Sequence, residues 1–130
     1  MACNKPVNLI ISFNMHGFNQ GVSMIRDLCL SSKPDIFLLQ EHWLTPCKLG
    51  KFDQHFPDYF SFGSSAMTSS VESGIVSGRP FGGVLIMIKK ELQYQTQTLY
   101  SSDRCVIVKL FDYLVINVYL PCVGTVDRML

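Results

Sequence analysis

The chain has 130 residues, of which 48% are hydrophobic and 16% charged, and its formal net charge is +1. That length suffices for one domain with a real core, and the composition excludes a disordered chain. A charge so close to zero supplies no global steering toward nucleic acid, so any phosphate contact has to be local.

The five cysteines, Cys3, Cys29, Cys47, Cys105 and Cys122, are odd in number and form no CxxC pair. Cys29 falls in an apolar helical pattern and Cys105 in a strand pattern. They read as small apolar residues in a reducing, intracellular compartment. No basic stretch followed by a long apolar run opens the chain, so no secretory signal is expected. No apolar run approaches the length that spans a bilayer, and no membrane partner is expected.

Val7 to Phe13 reads as a first strand, ended by Asn14 and a turn at Gly17. Asn19 is placed to cap a helix from Gln20 to Leu30, with Val22, Ile25, Leu28 and Cys29 on one face. Ser31-Ser32-Lys33-Pro34 stops it. Ile36-Phe37-Leu38-Leu39 is an unbroken apolar run, as expected of a strand buried on both faces. Gln40 and Glu41 follow where that strand should emerge. A strand-helix-strand unit predicts parallel strands, which brings Asn14 and Glu41 to one sheet edge. Ligands collect at the carboxyl ends of strands in open α/β sheets.

Downstream, His42 to Pro46 is an exit loop, Lys48 to Phe56 a short helix and Asp58 to Phe62 a strand. Gly63 to Pro80 is a serine- and glycine-rich loop with Arg79 near its end. Gly83 to Ile88 is a buried strand, and Gln93 to Leu99 an exposed or edge strand. Arg104 to Leu110 and Tyr113 to Tyr119 are two more strands around Asp112. No structure is expected for Val123 to Leu130.

Glu41 is the one carboxylate directly after a strongly apolar strand, which suits a hard-metal ligand or an acid/base group. Asparagine amides and a phenol suit phosphate oxygens as neutral donors. Taken singly, Asn14 would serve as a turn residue and Tyr119 as a packed strand aromatic. His42, Cys47 and His55 are irregularly spaced and lack a fourth ligand for zinc. Trp43 suits packing or base stacking. Arg79 and Arg104 read as ordinary surface or strand residues.

Three stretches in order resemble one family: Ile11-Ser12-Phe13-Asn14-Met15-His16-Gly17, then Pro34 through Glu41, then Val115-Ile116-Asn117-Val118-Tyr119-Leu120-Pro121. The set resembles the endonuclease/exonuclease/phosphatase family, which includes abasic-site endonucleases, DNase I-like enzymes and inositol-phosphate phosphatases. It is most similar to the endonuclease branch of non-LTR retrotransposons. The resemblance covers nearly the whole chain but the N-terminal half of that family's domain, so residues 1–130 are expected to form a single, incomplete domain. The implied fold is α/β, a mixed sheet with helices on one face, equivalent to the first half of a four-layer sandwich. The other face of that sheet is then expected to be uncovered and to drive self-association.

The resemblance implies that Asn14 and Tyr119 act on the phosphate and that Glu41 binds Mg²⁺, with Mn²⁺ as a substitute. The implied substrate is DNA or another phosphate ester, the implied reaction phosphodiester hydrolysis. A family phosphatase, or a non-catalytic association module, is the alternative. His16 and Cys122 depart from the stricter nuclease pattern. No Asp-x-Asn and no Asp-His pair occurs in the chain. In that family these supply the base and further metal contacts, so weak metal binding and no activity are expected of these residues alone.

Overall fold

The computed structural model describes residues 7–67 and 81–120. Arg79, most of the serine-rich loop, Pro121, Cys122 and the stretch from Val123 to Leu130 lie outside the described residues.

The first unit is β1 (Ile10–Asn14), α1 (Phe18–Ser31) and β2 (Ile36–Gln40). β1 and β2 pair in parallel with Asn14 opposite Gln40, as the strand-helix-strand pattern predicts. The chain continues through a 3₁₀ turn, Pro46–Lys48, into the one-turn α2 (Lys51–His55). Then come β3 (Tyr59–Ser64) and β4 (Val84–Lys89), which pair antiparallel, with β4 also antiparallel to β2. The resulting mixed sheet has the order β1-β2-β4-β3.

Side chains alternate across this sheet. Phe37, Leu39, Leu85 and Met87 face a core shared with Phe18 and Ile25 of α1, Phe52 of α2, and Phe56. Ile36, Val84, Ile86 and Ile88 face the opposite way. That is why β2 and β4 read as unbroken apolar runs rather than alternating ones. Phe37 and Phe52 are fully buried, and each such burial stabilises the fold by about 1.5–3 kcal/mol.

The face away from the helices is not uncovered, contrary to the expectation above. A second antiparallel sheet of order β5-β6-β7 lies on it, formed by β5 (Thr96–Ser101), β6 (Cys105–Leu110) and β7 (Tyr113–Val118). Val106, Val108, Leu110 and Val115 pack onto Ile36, Ile86 and Ile88. The period-2 pattern of β6 and β7 supplies an apolar inner face, and burying it requires a partner layer. The exposed apolar surface is instead the outer face of this second sheet, with Leu114, Ile116 and Val118 about half exposed or more.

Several boundaries differ from the sequence reading. Asn19 lies inside α1 and caps nothing; Gly17 is the N-cap, with no side-chain cap bond. The helix starts early because Phe18 is buried in the core. β1 begins at Ile10 because the preceding residues are tied down differently: the Asn8 and Leu9 N–H groups donate to Asp35 Oδ2 at 2.7 and 3.1 Å. β5 begins at Thr96 because Lys90–Gln95 forms a 3₁₀ helix, anchored by buried Leu92. β3 runs on to Ser64, into the expected loop.

Candidate functional site

β1 and β2 end side by side, and their exit loops are stitched to each other and to the start of β4. Met15 N–H donates to Gln40 O at 2.8 Å, Gly17 N–H to Glu41 O at 2.8 Å and Phe18 N–H to His42 O at 2.9 Å. From the other side, Glu41 N–H donates to Gly83 O at 2.8 Å and Trp43 N–H to Gly82 O at 2.9 Å. The backbone of Glu41 is thus gripped by two strand ends. Glu41, His16 and Trp43 all take left-handed backbone conformations, with φ of 56°, 51° and 61°. Such conformations cost of order 1–3 kcal/mol each and persist where the surroundings over-determine them.

This frame brings two of the three residues singled out in the sequence into contact. Asn14 Nδ2 donates to Glu41 Oε2 at 2.6 Å. Asn14 Oδ1 accepts from the His16 N–H at 2.9 Å. A backbone N–H can face only the oxygen, so that bond fixes the amide's orientation and turns its NH₂ toward the carboxylate. The sequence places one neutral donor and one carboxylate here, and the structure makes them a pair.

Tyr119 approaches from the second sheet. Its N–H donates to Arg104 O at 2.9 Å, and its half-buried side chain packs against the inter-sheet core. Val115 lines the same cavity as Ile36, and Asn117 bonds at Leu39 and Gln40. β7 therefore runs toward the Glu41 end of β2. Tyr119 follows the end of β7 directly, two residues past Asn117.

Asn117 itself was quoted within a motif and given no role. It is 2% exposed. Its Nδ2 donates to Leu39 O and to Leu85 O, both at 3.0 Å, and its Oδ1 accepts from Gln40 Nε2 at 2.8 Å. One amide thereby joins β7 to β2 and β4, one residue short of Glu41. The signal in the sequence is a polar residue at an inward position of an otherwise apolar alternation.

His42 is a strut rather than a metal ligand. It is fully buried. Nδ1 accepts from Leu44 N–H at 2.9 Å, which leaves Nε2–H to donate to Ser64 O at 3.0 Å. Burial holds its pKa down, to about 4, against the opposing effect of the Ser64 carbonyl. Cys47 and His55 lie elsewhere: Cys47 contacts Thr45, and His55 contacts Arg26 and the Phe18 ring. Among the described residues, no group of three or more His, Cys, Asp or Glu side chains is arranged to hold a metal. The Asn14–Glu41 pair fits a single Mg²⁺ bound through one carboxylate, with water and phosphate filling the remaining positions. An open groove of about 1100 Å³ lies at the other end of the strands, beside Ile10, Ile36 and Val115. It is remote from this chemistry.

No protein-family profile and no curated protein sequence matches the chain. Solved structures do. An abasic-site (AP) endonuclease from Leishmania major superposes with a TM-score of 0.67 at 16% identity, covering 92% of this chain and 42% of that one. An AP endonuclease from Archaeoglobus fulgidus gives a TM-score of 0.57 at 22% identity, covering 85% and 40%. The 3′ phosphatase NExo from Neisseria, bound to product DNA hairpin, gives 0.58 at 20% identity, covering 84% and 40%. The chain spans about two fifths of the length of these proteins. Its mixed sheet, flanking helices and second sheet form part of the fold that these nucleases and phosphatases share.

Proposed function

We propose that this chain is the N-terminal part of a Mg²⁺-dependent phosphodiesterase, a DNA endonuclease of the non-LTR retrotransposon type. The observation that supports it most is the Asn14–Glu41 pair, held at 2.6 Å at the carboxyl edge of two parallel strands. Phosphodiester hydrolysis puts negative charge on phosphate oxygens and on the leaving oxygen. A bound Mg²⁺ would neutralise part of that charge and polarise the phosphate. Glu41 would hold it through one carboxylate oxygen. The Asn14 amide orients that carboxylate and offers a neutral donor to a phosphate oxygen. Tyr119, directly after β7, would donate its phenol to the phosphate from the side of the second sheet.

Attack and departure also need an activated water and a stabilised leaving oxygen. Losing one positioned acid or base typically removes about 10²–10⁴ in rate. The Asp-x-Asn and Asp-His elements that would supply such groups are absent from these residues. The 130-residue chain is therefore expected not to nick supercoiled plasmid in Mg²⁺ or Mn²⁺. Joined to a second half that carries those elements, it is expected to nick, and Glu41→Ala is expected to abolish the activity. If the joined protein cleaves phosphomonoesters such as inositol phosphates and leaves plasmid intact, it is a phosphatase. If it cleaves neither, the fold serves as an association module. Glu41-dependent nicking by the 130 residues alone would sink the half-site assignment.

A further inference from the structure

The two loops that carry Asn14 and Glu41 each present an aromatic ring beside the pair. His16 and Trp43 lie with ring centroids 5.1 Å apart at an interplanar angle of 56°. Both stand on left-handed backbone, which is uncommon for an indole. The indole lies across Gly17. A Cβ at that position would sit 2.7 Å from Trp43 Cε3, so glycine makes room for the ring. Trp43 is nonetheless half-buried rather than buried, and His16 is exposed. A half-buried indole keeps part of its ring open to solvent. This one is braced by backbone beneath it and kept at the surface, next to the pair placed for a phosphate.

One cation lies near the first turn of α1. Lys51 Nζ lies 5.7 Å from the centroid of the Phe18 ring, two residues past His16. Arg26 reaches His55, whose ring packs edge-on against Phe18.

We propose that His16 and Trp43 form a subsite for a nucleobase, on which the unpaired base next to the bound phosphate stacks. This rests on the phosphodiesterase assignment and narrows it to substrates with an accessible base, meaning single-stranded or locally opened DNA. Stacking on aromatic side chains is tolerant of base identity, because every base offers a π-face. An inositol phosphate would gain nothing from it.

The test compares two oligomers of equal length and charge, an oligothymidylate and its abasic analogue, in Mg²⁺, where the 130 residues alone are expected not to cleave either. Trp43 is the chain's single tryptophan, so its emission reports on the subsite directly. The oligothymidylate is expected to quench Trp43 and to bind about five- to 150-fold more tightly than the abasic oligomer, the worth of one stacked base. Trp43→Leu, followed by anisotropy of a labelled oligomer, is expected to erase that preference. His16→Asn keeps a residue tolerant of left-handed backbone and is expected to reduce the preference. It also decides the matter if Trp43→Leu fails to fold. Equal affinity for the two oligomers, binding of neither, or a preference that both variants leave intact overturns the proposal. Equal affinity together with Glu41-dependent nicking by the joined protein would remove the stacking subsite and leave the nuclease assignment standing.

Discussion

Replacing Asn117 tests how the two sheets are fastened at the site. Asn117→Leu removes three hydrogen bonds, to Leu39 O, Leu85 O and Gln40 Nε2. At about 0.5–1.5 kcal/mol each, the loss amounts to about 2–4 kcal/mol. The leucine should recover some of this by burying its own apolar surface, since it branches at the same carbon and faces the inter-sheet core. Gln40 also keeps a partner, because its Nε2 donates to Leu38 O at 2.9 Å. A net loss of about 1–3 kcal/mol is expected, a sizeable share of the roughly 5–15 kcal/mol typical of a domain. Asn117→Asp is the sharper probe. It preserves shape and the acceptor for Gln40, yet turns two donors into a carboxylate facing two carbonyls. A buried charge without a partner costs more than an absent one, so aspartate is expected to be worse than leucine. The assay is urea unfolding at neutral pH, comparing midpoints at constant slope. An aspartate variant as stable as the parent chain would show that the amide donors contribute nothing and that packing alone holds β7 on β2.

Further outcomes are expected from neighbouring features. His42 is held neutral with a pKa of about 4 against about 6.5 when unfolded. The unfolded chain therefore takes up a proton first as pH falls, and stability is full above pH 6.5 and lost progressively toward pH 4. About 3 kcal/mol is at stake, and urea midpoints that stay flat across that window would contradict it. Gly83→Ala would put a Cβ 2.2 Å from the His42 ring at φ of +99°, and a loss above about 2 kcal/mol in thermal unfolding is expected. A Mg²⁺ titration followed by backbone amide shifts should saturate weakly, and saturation at micromolar metal that Glu41→Gln abolishes would reveal further ligands. The outer face of the second sheet exposes Leu114, Ile116 and Val118 on the edge strand β7. Self-association is expected by light scattering, and Ile116→Lys should reduce it.

The parts of this architecture that were legible in the sequence rest on strong local physics. Four consecutive apolar residues before Gln40, a helical stripe before Pro34 and a glycine turn at Gly17 suffice for parallel β1 and β2. Parallel strands then put Asn14 beside Glu41 without any spacing argument. What escaped was long-range. A period-2 pattern says which face of β6 and β7 is apolar, not what that face meets, so the second sheet's cover for Ile36, Ile86 and Ile88 was missed. Asn117 looked like one residue of a motif because its three partners are 32 to 78 positions away in sequence. Asn19 was misread because capping preference is a local term worth about 1 kcal/mol. Burying Phe18 outweighs it and starts the helix two residues sooner.

The two carboxylates that bracket β2 show why its carboxyl end, rather than its start, is the place to look for chemistry. Asp35 precedes the strand and is 3% exposed. Burial alone would raise its pKa. Hydrogen bonds from the Asn8 and Leu9 N–H groups, with Lys89 at 3.4 Å, outweigh that and hold it below the usual carboxylate range. Its acceptor capacity goes to fixing the chain before β1, and as a carboxylate with a lowered pKa its contribution holds at neutral pH and fades only in acid. Glu41 follows the same strand and is treated in the opposite way. It sits on backbone gripped from two sides, in a conformation that costs energy. Among the described residues it is tied to one neutral amide, and no Lys or Arg pairs with it. An ionised carboxylate offers about four lone-pair sites. At Asp35 the fold uses them; at Glu41 it positions them beside Asn14, at the edge to which the proposed function assigns the phosphate.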